Sequence, residues 1–186
     1  GKTYLSALDV KAFGAKRLLF IVHRQQIAQA ARESFHKILG QGISSSLLAG
    51  QGSLNRGGGH LFAMIQTLSK DDVLNRFERD AFDYIIVDEV HRAGAASYEK
   101  VLNYFKPKFL LGMTATPERT DGYDIYRLFN HTIAYEIRLN QALEADLLAP
   151  FHYYGIAQLS VNGQEYDDLS KFSLLERHEW VKQIKA

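Results

Sequence analysis

Apolar residues along the chain fall into two rhythms. Leu18-Leu19-Phe20-Ile21-Val22 is an unbroken run of strand length, and Asp83 to Asp88 is another, apolar throughout its Tyr84-Ile85-Ile86-Val87 centre. Leu61 to Ile65 and Phe109 to Met113 read as two more strands, and Ile133 to Ile137 as a further one. Between these runs the spacing becomes helical. Leu5, Leu8 and Ala12 are followed by Gly14; Gln25 to Leu39 carries Ile27, Ala31, Phe35 and Ile38 on one face and ends at Gly40. Tyr98, Val101, Leu102 and Phe105 fit one face of a third helix. Ser69 and Asp72 form a capping-box-like start to a short helix. Gly40 to Gly59 is mostly loop, with a short strand near Leu47-Leu48.

Strands that are apolar without alternation, separated by helices, predict a sheet buried on both faces. The expected fold class is therefore α/β, a doubly wound and mostly parallel sheet flanked by helices. In such sheets ligands sit beyond the carboxyl ends of the strands. The pattern holds over residues 1–150. Beyond Pro150 it loosens, and 151–186, polar with Trp180 as its one large anchor, reads as a linker or partial insert.

Composition narrows the picture a little. The chain has 186 residues, 46% of them hydrophobic and 23% charged, which suits a well-buried domain rather than disorder. A net charge of +1 announces no general polyanion field, yet permits a local basic groove. With no cysteine, disulfide frameworks and Cys-based zinc sites are excluded. No apolar run approaches the ~20 residues that cross a bilayer, and no signal-peptide pattern is present. A cytoplasmic location is the expectation. The opening directly on Gly-Lys-Thr, without Met, reads as a fragment of a longer protein.

Three polar clusters come directly after predicted strands or open a helix. Gly1-Lys2-Thr3 directly precedes the first helix and matches the end of the pattern G-x-x-x-x-G-K-[ST]. In that pattern Lys reaches the β/γ-phosphates of a nucleotide and the Ser/Thr hydroxyl binds magnesium. Backbone amides at the helix start add anion affinity. Asp88-Glu89-Val90-His91 comes after the clearest strand. Two adjacent acids suit a division of labour, with Asp88 holding the metal and Glu89 orienting and deprotonating an attacking water. Thr114-Ala115-Thr116-Pro117 comes after the strand Phe109 to Met113, where small hydroxyl residues can bridge a nucleotide site to its neighbouring surface.

In this order and at these places, GKT, DEVH and TATP resemble motifs I, II and III of superfamily-two helicases. The runs Phe82 to Ala93 and Leu111 to Gly122 are similar to the branch containing type III restriction subunits and related bacterial DNA helicases. Leu147 to Gly155 resembles the crossing from a first to a second motor domain in that branch.

The resemblance implies a RecA-like P-loop NTPase domain, residues 1–150, that binds ATP and Mg²⁺ through Gly1, Lys2, Thr3 and Asp88. Glu89, Asp88 and Lys2 are its implied catalytic set, and His91, Thr114 and Thr116 couple nucleotide state to the nucleic-acid face. His23, Arg24, Gln66 and Thr67 match the positions that contact the nucleic-acid backbone. The implied partners are DNA, a second RecA-like domain of the same chain and restriction or repair subunits, with no membrane. The implied whole is an ATP-dependent DNA helicase or translocase. The strand and glycine upstream of Lys2 and an arginine finger from the second domain lie outside these residues, so the isolated fragment is expected to hydrolyse ATP negligibly.

Two rival readings share these residues: a motor on RNA, and a non-catalytic nucleic-acid-binding module. His60, His131, His152 and His178 lack metal-ligand spacing and read as surface or packing residues. Lys11, Lys16 and Arg17 read as a solvated loop, Tyr153-Tyr154 as packing, and Gly57-Gly58-Gly59 as a flexible loop.

Overall fold

In the computed structural model, which describes residues 1–49, 59–93, 95–117, 124–149, 159–161 and 164–166, the apolar runs form the strands of one parallel sheet. In chain order the elements of the first unit are α1 (Lys2–Phe13), β1 (Leu18–Val22), α2 (Gln25–Leu39), β2 (Ser45–Leu48), β3 (His60–Met64), α3 (Ile65–Leu68) and α4 (Asp71–Leu74). β4 (Tyr84–Asp88), a 3-10 turn (Val90–Arg92), α5 (Ala96–Tyr104), β5 (Phe109–Met113) and a second 3-10 turn (Ile125–Phe129) complete it. The strand order is β2-β3-β1-β4-β5, every neighbouring pair parallel. Residues 1–134 make up this unit; a second, 135–186, contains α6 (Leu139–Glu144) and the antiparallel pair β6 (Leu159–Val161) and β7 (Gln164–Tyr166).

Unbroken apolar strands bury both faces, and each face has its own core. On one, Leu18, Phe20 and Val22 of β1 join Phe62, Tyr84 and Ile86 under Ala7 and Val10 of α1 and Ala28, Ala31 and Phe35 of α2. On the other, Leu19 and Ile21 join Leu61, Ala63, Ile85 and Val87 under α3, α4 and α5. The single-residue alternation within β1 thus supplies two hydrophobic layers. This is the doubly wound arrangement expected from the sequence.

Several local expectations needed correction. Leu5 and Leu8, expected on the buried stripe of α1, are 64% and 51% exposed, while Ser6, Ala7 and Val10 face inward. The rotation of α1 is set by its tethers. Asp9 accepts a hydrogen bond from the Tyr84 hydroxyl, and Phe13 stacks edge-on against Tyr84, ring centroids 5.2 Å apart. The small Ser6 and Ala7 then suit the side of the helix nearest the sheet. The run expected at Leu61 to Ile65 begins at His60 and ends at Met64, because Ile65 already opens α3.

Ser69 does not cap the next helix: its amide closes α3 on the Ile65 carbonyl at 2.9 Å, and Lys70 takes the N-cap of α4. Ile133 to Ile137 is not a strand. Its apolar members Ile133, Tyr135 and Ile137 stay exposed, because a period-two pattern becomes a strand only where a neighbour completes its hydrogen bonds, and none does so among the described residues. The pair β6–β7 lies in a stretch whose sequence shows no strand pattern.

Two glycines hold positions that other residues resist. Gly14 ends α1 in the left-handed conformation, φ 70, with its amide on the Val10 and Lys11 carbonyls. Gly59, φ 144, enters β3 so close to Ser44 that a Cβ would lie 2.4 Å from the Ser44 carbonyl oxygen. The basic cluster at the start of β1 is structural. The amides of Lys16 and Arg17 both donate to the Asp83 carboxylate at 3.0 Å, and Lys11 Nζ donates to the Ile38 carbonyl.

His60 carries the first testable consequence. Buried at the start of β3, its Nδ1 accepts the Leu18 amide at 3.3 Å, and burial, the leading cause, lowers its pKa from 6.5. A histidine whose folded pKa is depressed binds protons more readily when unfolded. Its stabilising contribution is therefore complete above about pH 6.5 and is lost as the pH falls below that toward the folded pKa. Each unit of difference is worth about 1.4 kcal/mol. Urea midpoints measured between pH 7.5 and 5 should fall with acid in the wild type and fall less in His60→Gln. Parallel curves for the two proteins would refute the assignment.

Candidate functional site

All five strands run the same way, so their carboxyl ends share one rim, and that rim gathers most of the polar motif residues. Register pairs Val22 with Met64 and Asp88 with Met113. His23-Arg24 after β1, Ile65 to Leu68 after β3, Glu89 after β4 and Thr114 after β5 therefore all emerge on the same side. α1 begins at that side too, because Lys2, its first residue, places Nζ 3.3 Å from Glu89 Oε1. Residues 87 positions apart in the chain are in contact.

Asp88 ends β4 with its carboxylate buried, and Oδ1 accepts the Glu89 amide at 3.1 Å. Burial, then the neighbouring Glu89 charge, raises its pKa, while Lys2 pulls the other way. A cation opposite it would repay that penalty. Glu89 itself adopts φ 53, ψ 50, a left-handed backbone rare for a residue with a side chain. The chain leaves β4 sharply there and turns into the 3-10 segment that presents His91.

His91 Nδ1 lies 3.3 Å from Glu89 Oε2, 2.9 Å from Thr114 Oγ1 and 3.4 Å from Thr116 Oγ1. Thr114 Oγ1 also accepts the Thr116 amide at 3.1 Å. A continuous polar line thus runs from Lys2 through Glu89 and His91 to Thr114 and Thr116, joining the start of α1 to the ends of β4 and β5. Gly1, preceding α1, is exposed, and Thr3 is half-buried on its first turn.

Two residues of the other set meet as well. Gln66 Nε2 donates to the His23 carbonyl at 3.3 Å, joining the ends of β1 and β3. His23 lies within electrostatic reach of the carboxylates. Burial, Arg92 and Arg24 lower its pKa, and Glu89 and Asp88 oppose them. Arg24 is exposed at the N-cap of α2, whereas Thr67 is 5% exposed, so its side chain faces the interior. The sequence placed Arg92 only within the run Phe82 to Ala93 and Tyr98 only on a helix face, with no role for either; the buried Tyr98 hydroxyl has no hydrogen-bond partner among the described residues. Arg92 takes its place through the turn after Glu89, which residue spacing does not reveal.

Among the described residues, no group of three or more His, Asp or Glu side chains is placed to hold a metal ion. Asp88 and the Thr3 hydroxyl could supply two oxygens. That suits a magnesium that keeps its waters and takes its remaining ligands from a phosphate chain, rather than one caged by protein. His131 is exposed beside Asp124, and no described helix is long and apolar enough to cross a membrane. Glu118 to Gly122, His152, His178, Trp180, Tyr153-Tyr154 and Gly57-Gly58 lie outside the described residues.

A five-stranded parallel sheet with helices on both faces, a Gly-Lys-Thr helix start and an Asp-Glu pair on the same rim make up a RecA-like α/β fold. More narrowly, the chain belongs to the family described as "Type III restriction enzyme, res subunit", whose model matches residues 1–119. It is 24% identical over 192 residues to the "Type I restriction enzyme EcoAI endonuclease subunit" of Escherichia coli, covering 90% of this chain and 23% of that protein. The chain thus spans about a quarter of that relative.

Two solved structures share its fold. One is a nuclease-deletion mutant of the Type ISP restriction-modification enzyme LlaGI in complex with a DNA substrate mimic, with TM-score 0.58, 19% identity, 79% of this chain and 15% of that one. The other is the Pyrococcus furiosus Hef helicase domain, with TM-score 0.55, 19% identity, 68% of this chain and 30% of that one.

Proposed function

We propose that this chain is the ATP-binding motor domain of an ATP-dependent DNA helicase or translocase, with Gly1, Lys2 and Thr3 on the phosphates. The observation that carries the reading is the meeting of Lys2 with Glu89 beside Asp88, at the rim where a parallel sheet receives ligands. Phosphoryl transfer asks a protein for positioning and charge neutralisation more than for covalent chemistry. Lys2 supplies a positive charge for the β/γ-phosphates, and the amides opening α1 add to it. Thr3 and Asp88 are the residues that would hold Mg²⁺, which when bound neutralises charge on the phosphates. Glu89 orients a water and accepts its proton.

His91, hydrogen-bonded to Thr114, carries a change at Glu89 across to the end of β5. His23, Arg24 and Gln66 stand at the ends of β1 and β3, where a phosphate backbone can be met by a cation and by amide donors. Thr67, with its side chain inward, would contribute through its backbone. The second RecA-like domain and restriction or repair subunits are the partners this reading calls for. An arginine from a second domain is worth roughly 10³–10⁵ in rate in comparable enzymes.

DNA is favoured over RNA because the family is one of restriction subunits and the LlaGI neighbour is bound to a DNA substrate mimic. The test is ATP hydrolysis by the full-length protein with no polymer, duplex DNA, single-stranded DNA or RNA. Stimulation of tenfold or more by DNA is expected. Stimulation by RNA alone would transfer the motor to the other track, and no hydrolysis under any condition would reduce the chain to a binding module.

A further inference from the structure

We propose that Asp9 and Tyr84 are positioning residues: their hydrogen bond fixes the rotation of α1 and so aims Lys2 and Thr3 at the face of the sheet that carries Asp88. This rests on the nucleotide site proposed above and names what holds one side of it in place. Spacings of four, three and four residues put Lys2, Ser6, Asp9 and Phe13 along a single stripe of α1. Side chains alternate along a strand, so Tyr84, Ile86 and Asp88 share one face of β4, the face that Ala7 and Val10 of α1 cover. The Tyr84 hydroxyl donates to Asp9, and its ring meets that of Phe13 edge-on. Phe109 closes the group, with centroids 5.9 Å from Phe13 and 5.0 Å from Tyr84. The stripe is therefore tied down at the start of β4, while its first member, Lys2, reaches the end of the same strand.

Apolar packing alone does not choose this rotation. The residues that α1 buries are Ser6, Ala7 and Val10, whereas Leu5 and Leu8 on its other side stay exposed. Buried area would favour turning the two leucines inward, so a directed contact has to select the opposite face. Burial, the leading cause, raises the pKa of the Tyr84 hydroxyl, which keeps its proton and remains the donor. The leverage is large. A turn of about 20° around the helix axis carries a group about 6 Å from that axis sideways by roughly 2 Å. A misplacement of about 1 Å at a phosphate-handling group can cost on the order of 10²-fold in rate.

The experiment titrates full-length proteins with Mg²⁺ and a non-hydrolysable triphosphate analogue: wild type, Tyr84→Phe, Asp9→Ala, the double variant, Asp9→Asn and Val101→Ala. Asp9 is exposed and Tyr84→Phe keeps the ring, so these substitutions leave the core filled. A hydrogen bond to a charged group is worth about tenfold or more in an equilibrium. Each of the first two variants should weaken analogue binding by about 3- to 10-fold, because the correctly rotated helix is then only part of the population. The double variant should bind no worse than either single one, since both remove the same bond. Asp9→Asn still offers the hydroxyl a carbonyl oxygen and should recover most of the affinity.

Val101 of α5 is buried in the core on the opposite face of the sheet, so Val101→Ala should lower the unfolding midpoint and leave affinity unchanged. That contrast separates aim from stability. Wild-type affinity in Tyr84→Phe and Asp9→Ala, or losses that multiply in the double variant, overturns the anchor and leaves the nucleotide site standing. A loss in Val101→Ala equal to theirs reduces the effect to stability and overturns it too. If the wild type itself binds no analogue, the nucleotide site falls and the anchor's role falls with it.

Discussion

Glu89→Gln in the full-length protein should bind ATP and fail to hydrolyse it, with turnover reduced by about 10²–10⁴, the range that a positioned general base contributes. The substitution keeps the size of the side chain and its capacity to hydrogen-bond His91, and removes its negative charge and with it the ability to take a proton. Burial, then the Glu89 charge, pushes the pKa of neighbouring Asp88 upward, and Lys2 offsets this only in part, so Asp88 is the carboxylate that a metal cation would relieve in this scheme and Glu89 the one exposed enough to meet water. Single-turnover hydrolysis alongside equilibrium binding separates the two functions. A Gln variant with unimpaired turnover would place the base elsewhere on the rim.

Phe20→Ala should cost about 3–5 kcal/mol of stability, the range for removing a large ring from a packed core. Phe20 is wholly buried at the middle of β1 and packs against Phe35 of α2 and Phe62 of β3, with ring centroids 5.5 and 5.6 Å away. Phe35 and Phe62 also touch each other at 5.3 Å, so the three rings close a triangle that nothing small can refill. β1 carries His23 and Arg24 at its end, so loosening it should weaken nucleic-acid stimulation before it abolishes nucleotide binding. Chemical denaturation measures the first effect. A loss below about 1 kcal/mol would mean that the core collapses around the gap, contrary to the packing described.

The sheet was legible because β1 and β4 are apolar on both faces, and only a strand covered on both sides tolerates that. The rim was legible for a related reason: Asp88-Glu89 and Thr114 come directly after those runs, so the strand ends fix where they emerge. What stayed hidden depends on rotation and partnership. Leu5 and Leu8 share a helical spacing with Ala7 and Val10 offset by a few residues, and the Tyr84–Asp9 contact, 75 positions apart, chooses between the two faces. Ile133 to Ile137 has the alternation of a strand, but pairing is a property of two segments, and one segment's residues cannot report it. The contact of Lys2 with Glu89 could be argued from motif order, whereas the left-handed turn that aims Glu89 leaves no trace in residue type, since glutamate is a poor choice for that backbone.

That mismatch has a consequence for position 89. An L-residue held left-handed sits roughly 1–2 kcal/mol above its ordinary helical conformation, and glycine or asparagine would be more comfortable there. Comfort and reactivity thus select different amino acids at one place in the chain. A random library sorted for durability alone should drift toward glycine at 89, and one sorted for turnover should return to glutamate. Aspartate, tolerant of the backbone but one methylene short of the lysine, stands between the two demands and meets neither fully.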